Sequence, residues 1–408
     1  MRLRELTVVL FVAAIVSSLC QLSCRPAGKA GPSVAQASRP STQGGFETVA
    51  IALNLLEQGS FGNPFAATLK TGPTAHLPPL YPLFIAATLW VSRSGSVLIL
   101  CTLLVQALHA SLLPWVSRLL FGRIAPGVWG ALLAVAVQVF PLMPTWDAMY
   151  TATGLILFCL FTAWLTERDG SAIAAGALAG LAAAVVALCW TVYLAARMKP
   201  GPRAARFAGL FALAMALGCA PWAIRNYRVF HQVVLVRDSL GMELYVSNND
   251  CAGFSQDASM ASGCHARTHP TRSLAEAELL ARMGEVRYNQ YRLAAATAWI
   301  RTHPRRFAGL AWRRMVAFWL PADSLPITAI TCLSLAGFLL MAIRKIPALA
   351  FIAAVMALYP LIYYVVQYIP RYRYPILWLS LLGAGYALNE WAMAARGRLL
   401  RTRSGFLG

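Results

Sequence analysis

LPITAITCLSLAGFLLMAI, residues 325–343, runs without a charged side chain and closes on Arg344 and Lys345. A bilayer's hydrocarbon core is about 30 Å thick and takes roughly 20 helical residues at 1.5 Å each. A soluble helix of that length carries a polar face, and this stretch has none. It reads as a membrane span, and further apolar blocks repeat the pattern at roughly 80–92, 97–119, 124–143, 148–166, 172–195, 205–222, 346–368 and 375–394. The whole chain agrees: 408 residues, 59% hydrophobic, 12% charged, against about 25% charged in an ordinary soluble domain. The expected fold is an all-α polytopic membrane protein, a bundle of about nine to eleven membrane helices.

Charge gives the expected orientation. Lys and Arg number 35 against 15 Asp and Glu, a net charge of +20. The short basic patches at Arg118 and Arg123, Arg197 to Arg206, Arg344 with Lys345, and Arg396 to Arg403 belong on the cytoplasmic side. Anionic lipid and the positive-inside bias account for most of the excess, and no basic soluble module points to nucleic acid. Residues 6–19 after MRLR read as an uncleaved first helix, since no small-residue cleavage site follows and Cys24 lacks a lipoprotein box. Residues 25–45, rich in Pro, Gly, Ser and Ala, read as a flexible connector. The organisation expected is an N-terminal membrane region, 1–222, whose first external loop spans 24–79. An extracytoplasmic segment, 223–324, follows, and then a C-terminal membrane region with a basic tail, 325–408.

Within 223–324, Ser273 and Glu276 make a capping box that starts a helix, and Pro304 ends or kinks it. Beyond it, Phe307, Ala311, Met315 and Phe318 share one face while Arg305, Arg306 and Arg313 project away, the pattern of a helix lying on a bilayer. Cys251 and Cys264 lie in this polar segment, where an oxidising periplasm allows them to pair as a disulfide. Gly176 and Gly180, in GALAGLAAA, have the small-xxx-small spacing of close helix packing.

Chemistry has few carriers. There is no phosphate-binding glycine loop, no Cys/His metal cluster and no DxD. What remains is a set of polar residues at the outer ends of apolar blocks: Glu47, His76, Tyr81, Asp147, Arg225, Asn226, Arg371 and Arg373. Glu47 opens an apolar helix, where partial desolvation suits a carboxylate to accept a proton; a plain helix-end charge is an equal reading. His76 in GPTAHLPPLYP is twice as readily a solvated loop residue, Asp147 a helix cap, Arg225 an interface residue. Arg371 and Arg373, held between prolines in IPRYRYP, form a rigid guanidinium fork of the kind that suits phosphate.

Four segments in order, FETVAIALNLLEQGSFGNPF, GPTAHLPPLYPLFIA, APWAIRNYRVFHQVVLVRDSLGMELYVSNND and RYRYPILWLSLL, resemble the bacterial membrane glycosyltransferases of family 39. These have the GT-C fold and are related to protein O-mannosyltransferases and aminoarabinose transferases. The resemblance implies a polyprenyl-phosphate sugar donor, an extracytoplasmic acceptor of unknown kind, and a bacterial inner-membrane location. It places Glu47 at the family's acidic first-loop position. Many members have an Asp-Glu pair there, whereas this chain has Phe46 before Glu47, so no cofactor is demanded and a divalent metal ion stays an open alternative. It also implies that Arg371, Arg373 and Arg225 meet the donor phosphate, with His76, Tyr81, Asp147 and Asn226 lining the pocket. A lipid-phosphate transporter and an inactive GT-C relative are the alternatives; a transporter often shows internal repeats, and none is evident.

Overall fold

The computed structural model describes residues 3–23, 47–137, 146–166, 184–197 and 201–404. The expected connector at 25–45, the Gly176/Gly180 packing motif, Cys24 and Phe46 lie outside the described residues. In chain order the helices are α1 Leu3–Ser23, α2 Glu47–Gln58, α3 Leu80–Val91, α4 Ser96–Phe121, α5 Ala125–Ala136, α6 Ala148–Thr166, α7 Ala184–Arg197 and α8 Pro202–Phe230. Then come α9 Leu240–Ser247, α10 Gln256–Ala261, α11 Cys264–Thr268, α12 Leu274–Met283, α13 Glu285–Thr302 and α14 Pro304–Trp319. The last are α15 Leu325–Ile343, α16 Ala348–Leu358, α17 Leu361–Val365, a 3-10 turn Pro370–Arg373 and α18 Tyr374–Ser404. Among the described residues there is no strand, only two isolated bridges.

Among the described residues, five stretches are long and apolar enough to cross a membrane: Leu3–Cys20, Ser96–Phe121, Ala205–Phe230, Leu325–Ile343 and Ala348–Val365. Four shorter apolar helices, Leu80–Val91, Ala125–Ala136, Ala148–Trp164 and Val185–Arg197, accompany them. The chain is thus an all-α protein with the helices of a membrane protein. The exposed apolar side chains fit a lipid environment, with Leu188 55%, Leu217 63% and Leu339 63% accessible.

The centre of the bundle is α18. Its Leu377, Trp378, Leu379, Leu381, Leu382, Ala384 and Ala387 are fully buried, and α5, α6 and α15 pack around it. Small residues permit this approach: a Cβ at Gly385 would collide with the Pro126 carbonyl and stand 2.7 Å from the Gly130 nitrogen of α5. Gly385→Ala is therefore expected to destabilise the bundle by roughly 2 kcal/mol or more, the usual cost of overpacking. Thermal unfolding in detergent checks it, with Gly209→Ala as control, since a Cβ at Gly209 meets nothing within 4 Å.

Several boundaries differ from the sequence expectation. Pro221 does not end α8, which continues to Phe230 and closes on His231 at φ 55°, so Arg225 and Asn226 sit inside a helix and the 222/223 boundary falls within it. The helix expected from Ser273 breaks at Gly284, whose φ of 78° favours glycine, and resumes as α13 until Pro304 starts α14. The capping box is half formed. Ser273 Oγ accepts from the Glu276 amide at 3.4 Å, but the Glu276 carboxylate turns instead to Tyr288, whose hydroxyl donates at 2.7 Å, and to Arg292. On α14 the most buried line is Leu310, Arg314 and Phe318. Arg305, Arg306 and Arg313 are exposed, as the pattern required, but Arg314 is an arginine at the centre of the buried face. Tyr359 and Pro360 divide the block 346–368 into α16 and α17.

The polar segment has its own small core, Met242, Val246, Leu280 and Tyr288, completed by Phe65 from the first loop. Cys251 and Cys264 are joined in a disulfide, Cα–Cα 5.4 Å. Two main-chain bonds stitch this segment to the turn before α18: Tyr368 donates to the Phe254 carbonyl at 2.9 Å and Gln256 to the Tyr368 carbonyl at 3.1 Å. Arg314 fastens the same seam, donating to the carbonyls of Val365 at 2.7 Å and Ser247 at 2.5 Å and to Asn248 Oδ1 at 3.1 Å.

Candidate functional site

First loop, polar segment and the 3-10 turn meet at the N-terminal end of α18. The proline-rich lead-in 72–79 forms one wall. Asn63 donates its amide to the Gly72 carbonyl at 2.8 Å, and the Asn63 side chain accepts from the Gly72 amide at 2.8 Å, closing the loop. Two distant residues then grip it. Arg225 donates from Nη1 to the Thr74 carbonyl and from Nη2 to the Phe61 carbonyl, both at 2.8 Å. Its guanidinium also lies 4.8 Å from the Trp222 ring centre and 5.5 Å from that of Phe61. Glu285 accepts from the Ala75 amide at 2.6 Å and from the Thr74 hydroxyl. Asn226 is fully buried, donating to the Val234 carbonyl at 3.0 Å and accepting from Arg225 at 2.9 Å. Arg225 therefore spends its guanidinium on the first loop, and Asn226 its amide on Arg225 and Val234.

Glu285 carries a pH signature. Burial pushes its carboxyl up to about 8, against the opposing bonds from Thr74 and Ala75 and with Asp238 adding to the rise. A carboxyl raised on folding stabilises most below its unfolded value, near 4.5, and loses that contribution as pH climbs through about 8. Stability is thus expected to fall between pH 5 and 9, and Glu285→Gln, neutral throughout, is expected to flatten that slope. Thermal melts across this range measure it; an unchanged slope in Glu285→Gln sinks the assignment.

The other expected residues divide into two groups. Glu47 is the first residue of α2, half-buried, and its Oε1 accepts from the Thr271 hydroxyl at 3.1 Å. His76 is buried and packs edge-on against Phe65, ring centres 5.2 Å apart. Burial first, then the fields of Arg237, His269 and Arg371, hold it well below the ordinary histidine value, so the imidazole is neutral. His265 and His269 stack at 4.5 Å, and burial pushes both down to about 3. Asp147 is exposed and caps α6, its carbonyl accepting from the Thr151 amide at 2.8 Å. Tyr81 packs against Tyr150 and Phe84, centres 5.1 and 6.1 Å away.

The two arginines of the turn separate sharply. Arg373 is 1% exposed, donates to the Trp319 carbonyl at 3.1 Å and to the Thr331 hydroxyl, and faces into the helices. Arg371 is half-buried and makes no hydrogen bond or ion pair with any described residue; the centre of the Tyr372 ring lies 5.7 Å from its guanidinium. Burial opposes its charge, yet the fields of Tyr372, Asp147, Glu47 and Glu243 outweigh burial and hold it above the ordinary arginine value. A half-buried guanidinium whose donors are spent on no described residue has the chemistry to bind a phosphate oxygen.

Glu243 is the residue that sequence reasoning missed. It lies on α9, ion-paired to exposed Arg237 at 3.2 Å, and burial raises its carboxyl above the ordinary value. The signal was present as one acid within the apolar run GMELYV. Among the described residues no three His, Cys, Asp or Glu side chains converge to hold a metal ion, so Glu47, Asp147 and Glu243 do not form a metal site there. Comparison with protein-family models, curated proteins and solved structures finds no match.

Proposed function

We propose that the protein is an integral-membrane glycosyltransferase of GT-C type, with about nine to eleven membrane helices. It transfers a sugar from a polyprenyl-phosphate donor to an extracytoplasmic hydroxyl acceptor in the bacterial inner membrane. The observation that carries this reading is Arg371, half-buried with its donors spent on no described residue and within the field of Glu47. The four family-39-like segments support it, since Glu47, Glu243 and Arg371 each lie within one of them.

The step is a single displacement. Glu47, oriented by Thr271, takes the proton of the acceptor hydroxyl as that oxygen attacks the anomeric carbon. The bond from that carbon to the phosphate oxygen breaks, the electron pair leaves with the lipid phosphate, and Arg371 meets the growing charge. The configuration inverts. The prolines of 72–79, clamped by Arg225 and Glu285, keep the first-loop wall from drifting, as near-ångström placement of reactants requires. The role first expected of Arg225 and Arg373 thereby passes to Arg371 alone. Radiolabelled sugar on a polyprenyl-phosphate donor tests the reading: consumption with release of lipid phosphate is expected, and vectorial movement of an intact donor would mark a transporter instead.

A further inference from the structure

About 17 residues of α18 separate Arg373 from Glu390, which places Glu390 roughly 25 Å along the helix and near the opposite membrane face. There the turn after α4 and the turn after α15 converge on α18 around a cavity of about 540 Å³. Glu390 forms its base, and its side chain is only 4% exposed. Arg123 reaches one of its oxygens at 3.1 Å and Arg344 the other at 2.5 Å, while the two arginines stay 52% and 44% exposed. The acid thus lies beneath and holds two guanidinium groups by one nitrogen each. Each retains outward donors.

Two positive charges over one negative leave a net charge of one, the charge of a single phosphodiester. Asn389 also lines it, and the rest of the lining is apolar, Ile124, Ala125, Met393 and Ala394. Beside it, Ile343 is 68%, Trp391 49% and Met393 44% exposed, a surface suited to lipid with an indole at headgroup level. A free phosphate has no use for such surroundings. An amphiphile does. We propose that this cavity binds the phosphodiester headgroup of an anionic glycerophospholipid, with Arg123 and Arg344 on the phosphate and the acyl chains lying along Ile343 and Met393.

The test uses the full chain in nanodiscs of phosphatidylcholine doped with phosphatidylglycerol, and reads retained lipid by native mass spectrometry. Wild type is expected to retain phosphatidylglycerol about tenfold above its bulk share, in keeping with headgroup attraction to basic side chains. Arg123→Gln with Arg344→Gln is expected to return retention to the bulk ratio. That pair leaves Glu390 buried and unpartnered, so the triple variant adding Glu390→Gln keeps the charges balanced and is expected to lose enrichment too. Glu390→Gln alone, which frees both arginines, is expected to retain or raise it. Wild-type retention at the bulk ratio overturns the proposal, as does enrichment surviving in the folded triple variant. Displacement of the lipid by millimolar inorganic phosphate would make this a free-phosphate site and likewise overturns it. None of these readouts depends on sugar transfer.

Discussion

Glu47→Gln is expected to slow sugar transfer by about 10²–10⁴-fold while leaving donor affinity nearly unchanged, the range lost when a positioned general base is removed. The substitution keeps the size of the side chain and an oxygen to accept from Thr271, so α2 keeps its start. What it removes is the site for the acceptor's proton. Single-turnover transfer from a labelled donor, measured beside donor binding, separates the two effects. Transfer at the wild-type rate would make Glu47 a helix-end charge meeting the macrodipole, and the base would then be sought at Glu243 and Asp147. Glu243 is the better placed of these by burial, although its pairing with Arg237 weakens it as a base.

How much of this could be read from the chain alone follows the range of the interactions. Apolar blocks such as 325–343 and 148–166 match α15 and α6 closely, because a membrane-length helix is a local property of composition. The break between α13 and α14 at Pro304 was equally local. The prolines of 72–79 announced a rigid wall, but not what holds it: Glu285 lies 210 residues from Ala75, and nothing near Glu285 in sequence marks it as a clamp. Arg314 was invisible for a related reason. The helical pattern of α14 turns Arg305, Arg306 and Arg313 outward and says nothing of Arg314, whose burial is explained by the carbonyls of Ser247 and Val365 and by Asn248, all from other segments. Arg371 and Arg373 show the limit most plainly. In RYRYP they are equivalent by composition and stiffness, and the 3-10 turn that points one inward and leaves the other unspent is set by the seam with 254–256.

That difference makes the second large effect a comparison between neighbours. Arg371→Ala is expected to raise the donor's Kd about 10–100-fold, as charge-assisted hydrogen bonds worth roughly 1.5–3 kcal/mol are lost, with the thermal unfolding midpoint lowered less than in Arg373→Ala. The loss of stability is the smaller one because Arg371 hydrogen-bonds to no described residue, and what goes is the attraction of Asp147, Glu47 and Glu243. Arg371→Lys is expected to recover only part of the affinity, since an ammonium keeps the charge but not the planar fork. Arg373→Ala is expected to do the reverse. It leaves the Thr331 hydroxyl and the Trp319 carbonyl without their donor and opens a void where a fully buried side chain had been, so the unfolding midpoint falls before any change in binding can be assigned. Donor titration and thermal melts on the three variants decide it. If Arg373→Ala keeps its midpoint and loses donor, while Arg371→Ala binds as wild type, the phosphate lies on the inward arginine and the assignment of the two side chains must be exchanged. Glu47 would then be the wrong carboxylate too, because the field that ties it to the anion site acts on Arg371.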